Sequence, residues 1–304
     1  VEPRLMLLDT ASLYFRAFFG VPDTRAADGT PVNAVRGLLE FIATLVSQYQ
    51  PTHLVCCWDN SWRPTWRVEL IDSYKSARVG SEADGVAVEV VPDDLQPQIP
   101  IILDVLAALG IAVIGADDHE ADDVIGTLST MATGPVAIVT GDRDLFQLVD
   151  DARNVRVLYT TRGVAQHDRV DDAWILAKYG VHAAQYADFA TLRGDASDGL
   201  PGVRGIGEKT AATLLQTYGD LAGIQSAAQD PATALSPSVR SKILAGADYL
   251  EVAPTVVGVA RTLPLSLVGT ETPSTPHDPA VLQALTQRYD LGSPVERVVA
   301  AITR

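Results

Sequence analysis

The chain is expected to fold as an α/β protein around a mostly parallel central sheet, on three features of its sequence. Short apolar runs of strand length alternate with helical periodicities through the first 160 or so residues. Each of these runs leads directly into an aspartate. From about residue 172 the pattern turns helical, with short stretches broken by glycine- and proline-rich connections.

The candidate strands are L-M-L-L (5–8), H-L-V-C-C-W (53–58) and V-A-I-V (136–139). Between them, G-L-L-E-F-I-A-T-L-V (37–46) and I-P-I-I-L-D-V-L-A-A-L-G (99–110) place Leu or Ile at threes and fours, and the second ends at a glycine stop. Residues 61–98 break this alternation, being rich in Trp, Arg, Tyr and Pro and then in acids, and read as an insertion over the sheet. The apolar I-A-V-I (111–114) leads into H-E-A-D-D-V-I-G (119–126), where a helix should begin. Farther on, V-V-G-V-A (256–260) reads as a late strand and V-L-Q-A-L-T-Q-R-Y (281–289) as a closing helix. The organisation expected is a core over 1–171 and a helical region over 172–304, packed as one unit.

With 304 residues and 47% hydrophobic content, the chain can bury a sizeable core, which excludes a disordered protein. It has no apolar run of membrane-spanning length, and the opening V-E-P-R-L-M-L-L-D puts an acid where the apolar stretch of a signal peptide would continue, so a cytoplasmic protein with no membrane partner is expected. Cys56 and Cys57 sit side by side in the second strand run, as buried small residues rather than a disulfide or a metal site, which suits a reducing compartment. A net charge of −15 and a pI near 4.6 argue on their face against a nucleic-acid partner. Nine of the acids, however, gather in one candidate site, so the global sign is a poor guide to the local field.

Those acids are Asp9, Asp59, Asp142 and Asp144 at strand ends, Glu120, Asp122 and Asp123 where the helix begins, and Asp195 and Asp198 in G-D-A-S-D-G. One aspartate after a strand is ordinarily a turn or N-cap residue, and Asp142 is placed to cap a helix starting near Leu145. In a parallel sheet, though, all carboxyl ends lie along the edge where such folds bind ligands, so the architecture itself would bring these side chains together. At about 100° per residue, Ala121, Val124, Ile125 and Leu128 form the face toward the sheet, Glu120 and Asp123 one flank, and Asp122 the other. Carboxylates so crowded must take up protons or bind cations, and oxygen-only ligation favours Mg²⁺ or Mn²⁺ over zinc. His119 reads as a cap or surface residue.

Two further segments suit a phosphate backbone. L-P-G-V-R-G-I-G-E-K-T-A-A-T-L-L (200–215) sets Gly202, Gly205 and Gly207 in a tight turn before a helix, with Lys209 and Thr210 in its first turn. It is not a Walker loop, and the alternative is a plain helix–turn–helix connection. The insertion carries Arg63, Arg67, Lys75 and Arg78, with Trp66 and Tyr74 between them, combining phosphate-binding charge with stacking faces for single-stranded bases; a solvated surface segment is the alternative.

Together these motifs resemble the bacterial 5′-nuclease family, the flap endonucleases and the 5′-3′ exonuclease domain of DNA polymerase I. The matching stretches are L-L-D-T-A-S-L-Y-F-R-A-F, Y-K-S-A-R, H-E-A-D-D-V-I-G, I-V-T-G-D-R-D-L-F-Q-L-V and L-R-G-D-A-S-D-G-L-P-G-V-R-G-I-G-E-K-T-A, in the family's order. The resemblance is to a free-standing nuclease. It implies a PIN-like core, a helical arch over the insertion and a helix–three-turn–helix at the glycine hairpin. It further implies that all nine acids hold two or three Mg²⁺ or Mn²⁺ ions, with Glu120, Asp122 and Asp142 at an inner site and Asp144, Asp195 and Asp198 at a second. Arg67, Lys75 and Arg78 then belong to the arch, with Lys75 and Arg78 nearest the scissile phosphate; Arg16 and Arg193 match arginines of the family, and the hairpin takes a K⁺ ion.

The substrate implied is DNA with a free 5′ end or 5′ flap, including an RNA primer on DNA, hydrolysed in primer and flap removal and in repair. Two departures stand out: S-D-G-L-P-G where the family commonly has Asn in place of Gly199, and Y-K-S-A-R where it has Y-K-A-N-R. Rival readings are a metal-dependent phosphatase acting on a small molecule, and a DNA-structure binder without catalysis.

Overall fold

The computed structural model describes residues 4–83 and 86–303. Its centre is a six-stranded sheet in the order β5-β2-β1-β6-β7-β8, formed by β1 (Leu5–Asp9), β2 (His53–Trp58), β5 (Ala112–Gly115), β6 (Val136–Thr140), β7 (Val155–Tyr159) and β8 (Asp168–Val170). All neighbours pair in parallel except β8, which runs antiparallel on β7. The three runs expected as strands form the middle of the sheet as β2, β1 and β6. The other three strands are additions to that expectation, and β5 is built from the apolar lead-in to H-E-A-D-D.

The sheet's two faces feed two cores, because successive side chains of a strand point to opposite sides. Met6, Leu8, Cys56 and Val139 pack on one side against α1 (Thr10–Gly20), α2 (Asn33–Tyr49) and α4 (Gln98–Leu109). Leu5, Leu7, Cys57 and Ile138 pack on the other against α5 (Ala121–Met131) and the helical region. Both cysteines are free and buried, as expected. β1 and β6, covered on both faces, are buried at every position, which is why they read as unbroken apolar runs.

Between β2 and α4 the insertion forms the short α3 (Thr65–Leu70), a 3-10 turn (Ser76–Arg78) and a β-hairpin of β3 (Val79–Ala83) and β4 (Val86–Glu89). The helical part of the insertion is thus α3 and the 3-10 turn, and the β-hairpin is an addition to the helical arch implied by the resemblance.

Beyond β8 come α6 (Asp172–Tyr179), α7 (Tyr186–Arg193), α8 (Glu208–Tyr218), α9 (Leu221–Gln229), α10 (Pro237–Ala245) and α11 (Ala247–Val257). The late strand expected at 256–260 is not formed: Val256 and Val257 close α11, whose Leu250, Ala253 and Val256 bury one helical face. α12 (Pro279–Tyr289) contains the expected closing helix, but a further helix, α13 (Gly292–Ile302), follows it. Leu282, Tyr289, Val295 and Val298 of this pair return to the first core, so the end of the chain packs with its beginning. Among the described residues no helix is long and apolar enough to cross a membrane.

Candidate active site

β1, β2 and β6 are adjacent and parallel, so their carboxyl ends deliver Asp9, Asp59 and Asp142 to one edge of the sheet. Asp9 is both a cap and a site residue: its Oδ1 accepts from the Ser12 amide at 3.2 Å, opening α1, and its Oδ2 accepts from Thr140 Oγ1 at 2.6 Å. Thr140 Oγ1 in turn accepts from the Asp142 amide at 2.8 Å, and Asp142 Oδ1 accepts from the Asp144 amide at 2.8 Å. Asp59 accepts from the Ala121 amide at 2.8 Å, which fixes the start of α5 beside β2.

Asp9, Asp59, Glu120, Asp122, Asp142, Asp144, Asp195 and Asp198 all line one cavity of about 520 Å³, together with Lys75 and Arg78. Burial pushes the Asp9 carboxyl up to about 7, with Asp59 and Asp142 adding to it. Asp122 and Asp144 are driven well above the usual carboxylate range, by burial first and then by Asp142. Asp198 is raised by burial, against the pull of Lys75 and Arg78. Burial also works on Asp195, but bonds from Ser197 and Arg143 outweigh it and hold that carboxyl down at about 2.

One expected ligand is absent from the cavity. Asp123 is fully buried, its Oδ1 accepting from Arg67 Nη2 at 2.7 Å and the Ala260 amide at 2.8 Å, its Oδ2 from Arg67 Nη1 at 2.8 Å and the Glu120 amide at 3.2 Å. This corrects the pairing of Glu120 with Asp123: Glu120 and Asp122 face the site, while Asp123 turns inward to an arginine.

The insertion supplies that arginine, which corrects a second expectation. Arg67 is buried beneath α5 and α11, bonded to Glu120, Asp123 and the Val256 and Gly258 carbonyls, and cannot meet a phosphate there. Tyr74 is buried too, its hydroxyl donating to Glu120 Oε2 at 2.7 Å, so it offers no stacking face. Arg63 is used on the Tyr74 and Asp72 carbonyls at 2.6 and 2.8 Å, and the Trp66 indole donates to the Asp118 carbonyl. Lys75 and Arg78 do reach the cavity, where they pair with Glu120 and Asp198.

Arg193 is also largely enclosed, donating to the Gly194 carbonyl and lying 3.6 Å from Asp195, so it braces the turn rather than facing solvent. Arg16 stands beside the cavity, its Nε buried without a partner. In the hairpin, Gly202 adopts a φ of +65° with a would-be Cβ 2.5 Å from the Arg193 carbonyl oxygen, which makes it a packing glycine. Gly205, Gly207 and Lys209 are exposed, and Thr210 is half-buried, at the start of α8. His119 bonds the Asp117 carbonyl, away from the cavity.

Two charged residues of the cavity escaped the sequence reading. Arg143, between Asp142 and Asp144, pairs with Asp195 at 2.8 Å, and its place in G-D-R-D was the available signal. Glu89 lines the cavity from β4, and nothing in the local sequence marks it.

Among the described residues no three of these side chains already converge at ligation distance. The donor set nevertheless fits hard divalent cations: it is all oxygen, Asp144 Oδ1 is buried without a hydrogen-bond partner, and the carboxylates outnumber the cations around them. A phosphate would be repelled from such a cavity without added positive charge.

The crowding has a measurable consequence in ion-free protein. A carboxyl raised from 3.8 to about 7 contributes stability that is complete below its unfolded pKa and is lost as pH rises through about 7. The loss is on the order of a few kcal/mol, since each tenfold change in proton affinity is worth about 1.4 kcal/mol. Asp195, held low, acts in the opposite sense only below pH 4 or so. In EDTA, the protein should therefore melt at lower temperature at pH 8 than at pH 5. Asp9→Asn should narrow that gap; equal melting points for the unmodified protein would refute the account.

A model of the 5′-3′ exonuclease N-terminal resolvase-like domain matches residues 4–180, and one of the 5′-3′ exonuclease C-terminal SAM fold matches residues 181–280. The chain belongs to the 5′-3′ exonuclease family. Family relatives include a 5′-3′ exonuclease of Streptomyces coelicolor, 60% identical over 98% of this chain and 100% of that one. Another, from Mycobacterium tuberculosis, is 47% identical over 98% and 97%. The family fold is shared with the T5 5′-exonuclease solved with divalent zinc ions bound (TM-score 0.64, 15% identity, 98% and 97% covered). It is shared as well with the catalytic core of Rad2 in complex with DNA substrate (TM-score 0.61, 18% identity, 99% and 92% covered).

Proposed function

We propose that this family member is a structure-specific 5′ nuclease that cleaves DNA phosphodiesters at a free 5′ end or flap, including RNA-primed ends. The observation that carries this reading is the cavity in which nine acids, eight of them expected from the sequence, come from six parts of the chain to face Lys75 and Arg78. Glu120, Asp122 and Asp142 would hold one divalent ion and Asp144, Asp195 and Asp198 another, with Asp9 and Asp59 bracing the first set. Mg²⁺ or Mn²⁺, when bound there, would supply positive charge to the attacking and departing oxygens and make the attacking water more acidic. Lys75 and Arg78 would leave Glu120 and Asp198 to meet the scissile phosphate, adding stabilisation as its charge builds. The exposed start of α8, with Gly205, Gly207 and Lys209, would grip duplex backbone without reading bases, with K⁺ as a further ligand of the hairpin. Specificity then comes from the shape of a 5′ end beside a duplex.

The test is a 5′-labelled flap duplex in Mg²⁺ and in EDTA. The rate should fall at least about 10³-fold in EDTA, the equivalent of several kcal/mol of lost charge stabilisation. Cleavage that persists unchanged in EDTA would end the proposal, and release of inorganic phosphate with no chain cleavage would favour a phosphatase.

A further inference from the structure

Among the described residues, Lys75 is one of five non-glycine positions with a positive φ, +50°, a conformation that a lysine keeps only where its surroundings enforce it. The enforcing contacts come from a segment more than 120 positions away. The Lys75 amide donates to the Asp198 carbonyl at 2.9 Å, and Ser73 Oγ donates to the Gly199 carbonyl at 2.7 Å, the latter pair 126 positions apart. Asp195 and Leu200 close the receiving turn, exchanging amide–carbonyl bonds of 2.9 and 2.8 Å.

Gly199 is what lets the two segments meet. Its φ is +69°, and a Cβ placed there would lie 1.9 Å from the Ser73 carbonyl oxygen and 3.4 Å from the Lys75 amide nitrogen. Any side chain at 199 must push the base of the insertion off the turn. The glycine that stands as a departure in S-D-G-L-P-G is therefore a docking point.

We infer that Ser73 and Gly199 are positioning residues for Lys75: by docking residues 73–75 on the Asp195–Leu200 turn, they set the backbone geometry that aims the lysine ammonium into the acid cavity. The inference rests on the role given to Lys75 in the proposed nuclease reaction.

Ser73→Ala should lower kcat on a flap duplex about 10-fold, the cost of one hydrogen bond, with KM unchanged and with recovery in Ser73→Thr, which keeps the hydroxyl. Gly199→Ala should lower kcat about 10²-fold, as expected for a reacting group displaced by an ångström or so. In a Lys75→Ala background neither substitution should slow cleavage further, because both act through that side chain. Hydrogen exchange of the peptide spanning 73–78, followed by mass spectrometry, should be about 10-fold faster at the Lys75 amide in both variants. Independent losses in the Lys75→Ala background, or exchange unchanged by Ser73→Ala, would overturn the inference. If Gly199→Ala does not fold, Ser73→Ala carries the same test. If Lys75→Ala leaves cleavage intact, the role of Lys75 in the reaction is what fails, and the exchange rates still decide whether Ser73 and Gly199 hold it in place.

Discussion

Arg67→Met should cost about 3–5 kcal/mol of stability, the range for removing one partner of a buried ion pair. The side chain is only 2% exposed and serves two carboxylates, Glu120 and Asp123, that are themselves buried. Methionine approximates the aliphatic stem but leaves Asp123 with backbone donors alone. It also frees the Val256 and Gly258 carbonyls that the guanidinium now satisfies, which loosens α3 from the end of α11. For a chain of this size the melting temperature should drop by roughly 10 °C. Adding Asp123→Leu to Arg67→Met should recover part of the loss, because the stranded charge is then gone. A melting point within a degree or two of the unmodified protein would mean that the arginine is not buried in solution, and would return it to the set of DNA-facing residues.

Asp142→Asn should have opposite effects on activity and on stability. The amide oxygen can still accept from the Asp144 amide, so local geometry is kept while the charge is removed. Cleavage of the flap duplex should fall on the order of 10³-fold if Asp142 holds the inner ion as proposed, since an anionic ligand is then lost. Ion-free protein should become more stable, because the Asp142 carboxylate is a source of repulsion for Asp9, Asp122 and Asp144, all raised above their ordinary range. Thermal melting in EDTA reads the second effect separately from the first. A structural aspartate would show destabilisation instead, and a DNA binder without catalysis would have no cleavage to lose.

The strand-end aspartates were legible because their signal is local. A run buried on both faces is apolar over most of its length, and an acid at or just past its end stands out against it. The orientation of the first turn of α5 was not legible. Helical periodicity places Glu120 and Asp123 on one flank, yet Asp123 is captured by Arg67, 56 positions away in sequence. The same is true of the basic insertion. Its composition suits a nucleic acid, but Arg63, Arg67 and Tyr74 find carbonyl and carboxylate acceptors within the fold, and Lys75 and Arg78 reach the cavity.

The sequence by itself determined the alternation of strands and helices, the parallel sheet this implies and the residue types at its carboxyl edge, because burial and periodicity act on neighbours along the chain. Only the tertiary structure decided which of those acids share a cavity, which cation neutralises which carboxylate, and why position 199 is glycine. Those outcomes depend on contacts between segments far apart in the chain, where a buried charge must find a partner and two backbones must come close enough to touch.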